Sequence, residues 1–288
     1  MKIVIINGQN HKGSTWNIGN LLVQKIAGEK EIKEYFLPKD LNHFCTGCFA
    51  CLEARERCPY WREKEPMYRD MLQADLLIFT SPNYCMMPSA PMKAFLDLFF
   101  TNWMTHKPPK EMLSKRAVVI SSAAGTGAKK AAKLIADNLT NWGIPEIHRY
   151  GAVVNAMNWE MVPPKIKIKI EKDMEQLAQK LSCRRKVSVG LKTRVLFWFY
   201  GGMQKANWGA SPAEKQYWEE NGWLDGKKPQ REKIDMIKAA FAEYDEKSPL
   251  IHADERALDD ELVSKLTSLT PEERQKVDAF VQGLLANR

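Results

Sequence analysis

Four of the six cysteines lie within residues 45–58, which makes this short segment the first candidate for chemistry. Cys45, Cys48, Cys51 and Cys58 follow the spacing C-x2-C-x2-C-x6-C. Thiolates this close together can reach several corners of one iron–sulfur cluster, and four thiolates also suit a closed zinc site. The spacing differs from the paired C-x2-C motifs of zinc ribbons, so zinc ranks last. An iron–sulfur cluster and free or redox-active thiols stay open.

A polar loop with two glycines, Gly8–Thr15 (GQNHKGST), links an apolar run to a helical pattern. The free N–H groups and the dipole of a helix N-terminus attract an anion. Gly13 permits close backbone approach, and Ser14 and Thr15 offer hydroxyl groups. These features predict a site for a terminal phosphate, although the spacing matches neither the dinucleotide fingerprint nor the P-loop. An ordinary capped turn is the alternative.

Two further loops have the composition of a ligand site. The segment Ser81–Pro88 contains Tyr84, Met86 and Met87, whose side chains suit an apolar wall against a flat ring. The segment Ala123–Gly127 has almost no side-chain bulk, so its backbone amides can approach a ligand closely. Each loop alone is also compatible with a simple connection, and the interpretation depends on all three lying together.

The elements that must position these loops are five strand candidates, of which the first and third are apolar runs typical of buried strands and the second is weaker. They are Lys2–Asn7, Ile32–Leu37, Asp75–Thr80, Ala117–Ser122 and Glu146–Val154. Helical patterns separate them, which predicts an α/β fold with a doubly wound five-stranded parallel sheet. We choose the flavodoxin-like strand order 2-1-3-4-5. The three loops then meet at the carboxyl ends of the strands, where such sheets bind ligands.

The strand pattern stops near Cys183, so we expect one domain over residues 1–183 and a C-terminal helical extension over 184–288. Ser211-Pro212-Ala213-Glu214 and Thr270-Pro271-Glu272-Glu273 are capping boxes, and each predicts the start of a helix. The aromatic stretch Leu196–Tyr200 is expected to pack against its own domain or a second subunit. Contact with a membrane surface is the alternative.

Composition and charge narrow the choice of partners. The net charge is +8, yet the last fifty residues are acidic, so the first 238 residues are strongly basic. Such a surface attracts phosphate-bearing ligands, of which NADPH is one. No known nucleic-acid module is recognisable, so no nucleic-acid partner is expected. No apolar run approaches the ~20 residues of a membrane helix, and the first residues lack a secretory signal, so a cytoplasmic protein without a transmembrane segment is expected.

The three loops, in this order, resemble the flavin loops of the NAD(P)H-dependent FMN reductases and related flavodoxin-like oxidoreductases. The resemblance spans residues 1–183. Its most specific pattern is P-x-Y…P-x-x-K-x-F-x-D, filled by Pro82, Tyr84, Pro91, Lys93, Phe95 and Asp97. The resemblance implies bound FMN, with its phosphate surrounded by Gln9, His11, Gly13, Ser14 and Thr15. It implies a ring bordered by Pro82, Asn83, Tyr84 and Cys85, with Ala124 and Gly125 at its polar edge.

The cysteine spacing is also similar to that of the iron–sulfur flavoproteins, a branch of the same fold family in which a [4Fe–4S] cluster passes single electrons to FMN. Many relatives carry a similar segment without a cluster, so the resemblance leaves the role of the four cysteines open.

These features together predict an FMN-dependent NAD(P)H oxidoreductase. It would transfer hydride from a nicotinamide through FMN to a quinone, a free flavin or another small acceptor. A homo-oligomer is expected, because relatives commonly bind FMN where two subunits meet. The alternative is an iron–sulfur flavoprotein that carries single electrons to a protein partner.

Overall fold

A parallel sheet forms the centre of the fold in the computed structural model, which describes residues 1–182, 187 and 189–224. Its parallel strands are β1 (Lys2–Asn7), β2 (Glu31–Phe36), β3 (Leu76–Tyr84), β5 (Arg116–Ala123) and β6 (Glu146–Val153). A sixth strand of two residues, β4 (Met87–Pro88), pairs antiparallel with β3. The order β2-β1-β3-β5-β6 confirms all five predicted strands and the predicted order.

Helices cover both faces of this sheet, as expected for a doubly wound fold. They are α1 (Ser14–Lys25), α2 (Ala50–Glu53), α3 (Trp61–Gln73), α4 (Ala90–Leu98), α5 (Ala128–Asn141) and α6 (Pro164–Ser182). Apolar residues of α1 and α6 pack on one face, and those of α3, α4 and α5 pack on the other. Because successive side chains of a strand alternate, Ile3 and Ile5 point to the first face while Val4 and Ile6 point to the second.

The third strand is longer than the sequence pattern predicts. It does not end at Thr80 but continues to Tyr84, because Ser81 and Pro82 pair with β5 and the next two residues pair with β4. The two strands are joined by Cys85 and Met86, both with positive φ (51° and 67°), the backbone geometry of a tight two-residue hairpin turn. The predicted ring loop is therefore largely a hairpin.

The described part of the extension is helical, as predicted. Helix α7 (Leu191–Lys205) and helix α8 (Pro212–Glu220) are present, and α8 begins with the predicted capping box at Ser211. Phe197, in the aromatic stretch, is buried against Trp218 and Met104, so this stretch packs on its own chain. Cys183 and the second capping box at Thr270–Glu273 lie outside the described residues, and the boundary between domain and extension stays a prediction. Within the described ranges, no helix is long and apolar enough to cross a membrane.

Candidate functional site

The predicted phosphate loop leads into a helix whose N-terminus has no side-chain cap. Gly13 precedes α1 without capping it, and the first turn of α1 contains no acidic residue. The partial positive charge of this helix end is therefore uncompensated by a nearby carboxylate, which favours an anion. Ser14 is half-buried, whereas Thr15 is fully buried and its hydroxyl lies 2.5 Å from that of Ser122 at the end of β5. Ser14 is thus the accessible hydroxyl, and Thr15 fixes α1 to the sheet.

Gln9 and His11 fold over Gly13. A Cβ added to Gly13 would lie 3.0 Å from the His11 ring and 3.4 Å from the Gln9 Nε2 atom, so the absence of a side chain permits this approach. Gln9 is buried, and its Nε2 donor has no hydrogen-bond partner, whereas His11 is exposed. A buried amide without an acceptor is costly, so a ligand oxygen at this loop would stabilise it.

The hairpin of β3 and β4 is tied to the third loop. Asn83 Nδ2 donates a hydrogen bond to the Thr126 carbonyl at 2.9 Å, which fixes the orientation of the amide. Its Oδ1 atom is buried and unpartnered. Pro82 is buried in the sheet, whereas Tyr84 and Cys85 are exposed at the tip of the hairpin. Of the predicted ring residues, the structure therefore places two in the framework and two at the surface.

The third loop is an open stretch of backbone beside this hairpin. Ala124 and Gly125 are exposed, and a Cβ added to Gly125 would have no neighbour within 4 Å. Two residues later, Gly127 has φ +89°, and an added Cβ would meet Met86 Sδ at 2.7 Å and the Asn83 amide at 2.8 Å. Gly125 leaves room for a ligand, and Gly127 leaves room for the hairpin.

Two buried residues that the sequence reasoning did not single out join the loops. Ser89, the N-cap of α4, donates a hydrogen bond to the Gly8 carbonyl and also bonds with Ser81. Asn7, at the end of β1, accepts from Thr80 Oγ1 at 2.7 Å. The only sequence signal for them is a polar residue at a strand end or before a helix, and that signal is common.

The predicted FMN loops therefore meet at one edge of the sheet, and the residues present fit the cofactor. The α1 N-terminus suits a phosphate, the unpartnered Gln9 Nε2 and Asn83 Oδ1 atoms offer a donor and an acceptor, and the backbone around Gly125 is open. This set matches the polar and flat parts of a flavin nucleotide.

The four clustered cysteines differ in exposure. Cys45 and Cys48 are exposed, Cys51 is buried and Cys58 is half-buried. Across residues 1–182 and 189–224 there is no group of three or more His, Cys, Asp or Glu side chains arranged to hold a metal ion. The predicted four-thiolate site therefore stays a prediction.

A buried lysine accompanies two of these cysteines. Lys64 is 2% exposed, and its Nζ atom lies 3.6 Å from Cys58 Sγ and donates to the Leu98 carbonyl. Burial lowers the pKa of Lys64, although the Cys58 and Cys51 thiols act in the opposite direction. Burial likewise raises the pKa of Cys51, and Lys64 partly offsets that rise. A cysteine thiol beside a buried lysine is an environment in which redox-active thiols occur.

Comparison with known proteins identifies the family. The family of NADPH-dependent FMN reductases matches residues 1–158, more than half of the chain. The chain belongs to this family. It is accordingly an NAD(P)H-dependent flavin oxidoreductase, which confirms the resemblance and the enzyme class inferred from the three loops.

The individual relatives share low sequence identity with this chain. An iron–sulfur flavoprotein from Archaeoglobus fulgidus is 22% identical over 231 residues, covering 74% of this chain and 97% of that protein. Among solved structures, an azoreductase, AzrA, covers 62% of this chain and 100% of its own with a TM-score of 0.50 at 12% identity. An NAD(P)H:quinone oxidoreductase from Methanothermobacter marburgensis covers 64% and 98% with a TM-score of 0.49 at 14% identity. At these identities AzrA supports the flavodoxin-like fold alone.

Proposed function

We propose that this protein is an FMN-dependent NAD(P)H oxidoreductase that reduces a small acceptor, such as a quinone or a free flavin. The observation that carries the proposal is the meeting of three loops at the carboxyl edge of the sheet, beside the uncapped N-terminus of α1, in a member of the FMN reductase family. FMN, when bound, accepts a hydride from the nicotinamide and passes reducing equivalents to the second substrate.

The phosphate of FMN is assigned to the first loop. Ser14 would donate its hydroxyl, the first-turn amides of α1 would donate their N–H groups, and Gln9 Nε2 would gain the acceptor that it lacks. His11 is exposed beside Gly13 and would add a donor. Thr15 would act by fixing the helix, because its hydroxyl is already bonded to Ser122.

The ring is assigned to the space between the hairpin and the third loop. Pro82 and Asn83 form the rigid base of the hairpin, and Tyr84 and Cys85 border the ring from its tip. Ala124 and Gly125 would present backbone amides to the polar edge. Tyr84, Met86 and Met87 are 54%, 40% and 46% exposed, a flat apolar surface that favours an aromatic acceptor over a charged aliphatic one.

A comparison of FMN with riboflavin tests this assignment, because the two differ only in the phosphate. We expect FMN to bind more tightly, by fluorescence titration, and Ser14→Ala to reduce the affinity for FMN while leaving that for riboflavin unchanged. Ser114→Ala is the matched control, since this exposed serine lies just before β5, at the opposite edge of the sheet. Equal affinities for the two flavins would refute the phosphate site. A protein that shows no visible flavin absorbance after reconstitution would refute the function.

Activity is tested by the oxidation of NADPH and of NADH in the presence of a quinone. Turnover that needs both the nicotinamide and FMN supports the proposal, whereas flavin binding without turnover would leave only a flavin-binding module. The homo-oligomeric state and the cytoplasmic location remain predictions.

A second candidate is an electron carrier with a [4Fe–4S] cluster at Cys45, Cys48, Cys51 and Cys58. The cysteine spacing and the similarity to the Archaeoglobus fulgidus iron–sulfur flavoprotein favour it. Among the described residues no three possible ligands are arranged to hold a metal ion, so this candidate rests on the spacing and the similarity. Iron and sulfide analysis of anaerobically purified protein decides: about four irons per chain supports a cluster, and none supports free thiols.

A further inference from the structure

Four consecutive backbone carbonyls, from Thr105 to Pro108, each accept a hydrogen bond from a side chain of another part of the chain. Three of these donors belong to the extension. Gln204 Nε2 donates to Thr105 at 2.9 Å, Trp218 Nε1 to His106 at 2.7 Å and the Tyr217 hydroxyl to Pro108 at 2.9 Å. Helices α7 and α8 are therefore docked by specific polar contacts as well as by the apolar packing of Phe197.

The fourth donor comes from the cysteine segment. Arg55 lies between Cys51 and Cys58, and its guanidinium donates to the Lys107 carbonyl. It also donates to Thr101 Oγ1 and to Asn102 Oδ1, each at 3.0 Å. The same segment receives a bond in return, since Lys107 Nζ donates to the Glu53 carbonyl at 2.7 Å.

The extension also touches the cysteine segment directly. The Ser211 hydroxyl donates to Glu53 Oε1 at 2.5 Å, and α2 packs against α8. The Ser211 backbone is held by the fully buried carboxylate of Glu214, which accepts a hydrogen bond from the Ser211 amide. The same carboxylate lies 2.6 Å from His106 Nδ1. The residue that contacts Glu53 is therefore itself buried and hydrogen-bonded within α8.

We propose that α7 and α8 are the positioning element of the cysteine segment. Helix α2 has only four residues and cannot be stable by itself, so the place of Cys51 within it depends on tertiary contacts. Those contacts are made at Glu53 and Arg55, and they lead to Ser211 and to the carbonyl row that the extension also binds. The extension thereby keeps Cys51, 6% exposed, away from solvent. This role is independent of whether the cysteines hold iron and independent of flavin binding.

Hydrogen exchange of the full-length protein tests this role, with the double variant Ser211→Ala/Tyr217→Phe. The variant removes the Ser211 bond to Glu53, the N-cap bond that Ser211 accepts from the Ala213 amide, and the Tyr217 bond to Pro108, while keeping the Tyr217 ring. We expect amide exchange in residues 49–58 to become roughly tenfold faster, and alkylation of Cys51 in the iron-free protein to accelerate equally, because local opening is opposed by fewer bonds. Exchange in residues 8–15 and the affinity for FMN should not change.

Gln216→Ala is the matched control, because this side chain lies on α8 but bonds only Glu220 of the same helix. It should leave exchange in residues 49–58 at the level of the unmodified protein. Unchanged exchange there in the double variant, with faster exchange in residues 104–108 and 211–217, would overturn the proposal. Parallel acceleration across the whole chain would overturn it too, since it would show global loss of stability. Should the double variant fail to fold, the single variant Ser211→Ala is used instead. It must show a smaller increase in residues 49–58 in addition to faster exchange at the start of α8, whose N-cap it removes. Faster exchange at the start of α8 alone would refute the role.

Discussion

A series of three glycine-to-alanine substitutions, two at the flavin edge and one at the opposite edge of the sheet as a reference, separates backbone strain from steric contact. Gly28 has φ +84° and open space around it, Gly127 has φ +89° and close neighbours, and Gly125 has neither constraint. Gly28→Ala should cost about 1 kcal/mol in the free energy of unfolding, because an L-residue in the left-handed region is strained. Gly125→Ala should be neutral or slightly stabilising, because it only restricts the unfolded chain.

Gly127→Ala should cost more than the sum of these effects. Its Cβ would lie 2.7 Å from Met86 Sδ, which is exposed and can move, but also 2.8 and 2.9 Å from the two polar atoms of the Asn83 amide. Moving that amide breaks its bond to the Thr126 carbonyl, a solvent-exposed bond whose loss costs about 1 kcal/mol beyond the strain. We therefore expect a total loss of about 2–3 kcal/mol.

Urea unfolding of the three variants without flavin measures these costs, and flavin titration provides a second readout. Gly125→Ala should weaken FMN binding without loss of stability, since its methyl group enters the open backbone stretch assigned to the ring. Gly127→Ala should weaken FMN binding and also lower the free energy of unfolding. A Gly127→Ala protein no less stable than Gly28→Ala would refute the idea that Asn83 holds the hairpin against the third loop.

Two further predictions concern the framework. Thr15→Val should destabilise the protein by about 1–2 kcal/mol, because it leaves the buried Ser122 hydroxyl without its partner. Adding Ser122→Ala to that variant should cost little more, and additive losses in urea unfolding would show that the two hydroxyls do not interact. Burial lowers the pKa of Lys115, so the unfolded chain binds this proton more tightly than the folded protein does and stability gains with rising pH between the two pKa values. Compared with Lys115→Met, the unmodified protein should gain stability as the pH rises towards the ordinary lysine pKa of about 10.4, and parallel pH profiles of the unfolding free energy would contradict this.

The sheet could be predicted from sequence because its central strands β1, β3 and β5 contain continuous apolar runs that burial on both faces explains. The edge strand β2 is polar and largely exposed, so only its place in the alternation of strands and helices indicates it. The extent of β3 could not be predicted, since Ser81 and Pro82 are polar and turn-forming by type and enter the strand only through pairing with β5. The hairpin turn at Cys85 and Met86 could not be predicted either, because neither residue type favours positive φ.

The site was predictable to the level of its loops and not to the level of individual contacts. The loops follow from the rule that ligands bind at the carboxyl ends of parallel strands. Which hydroxyl faces a ligand depends on the orientation of α1 on the sheet. Ser14 and Thr15 are adjacent and chemically alike, yet Thr15 is buried against Ser122 and Ser14 is accessible. The same holds for Ser89, whose bond to Gly8 joins residues 81 positions apart.

The two candidate sites depend on different parts of the chain, which makes their functions separable by mutation. The flavin edge is fixed by strand register and by contacts such as that of Asn83 with Thr126, all within residues 1–158 where the family matches. The cysteine segment has no strand to fix it and is held through Glu53 and Arg55, in contact with helices that follow residue 190. A substitution at Ser211 should therefore alter the cysteines while hydride chemistry at the flavin edge continues. If the cysteines supply electrons to the flavin, the same substitution should impair single-electron reduction and spare reduction by a nicotinamide.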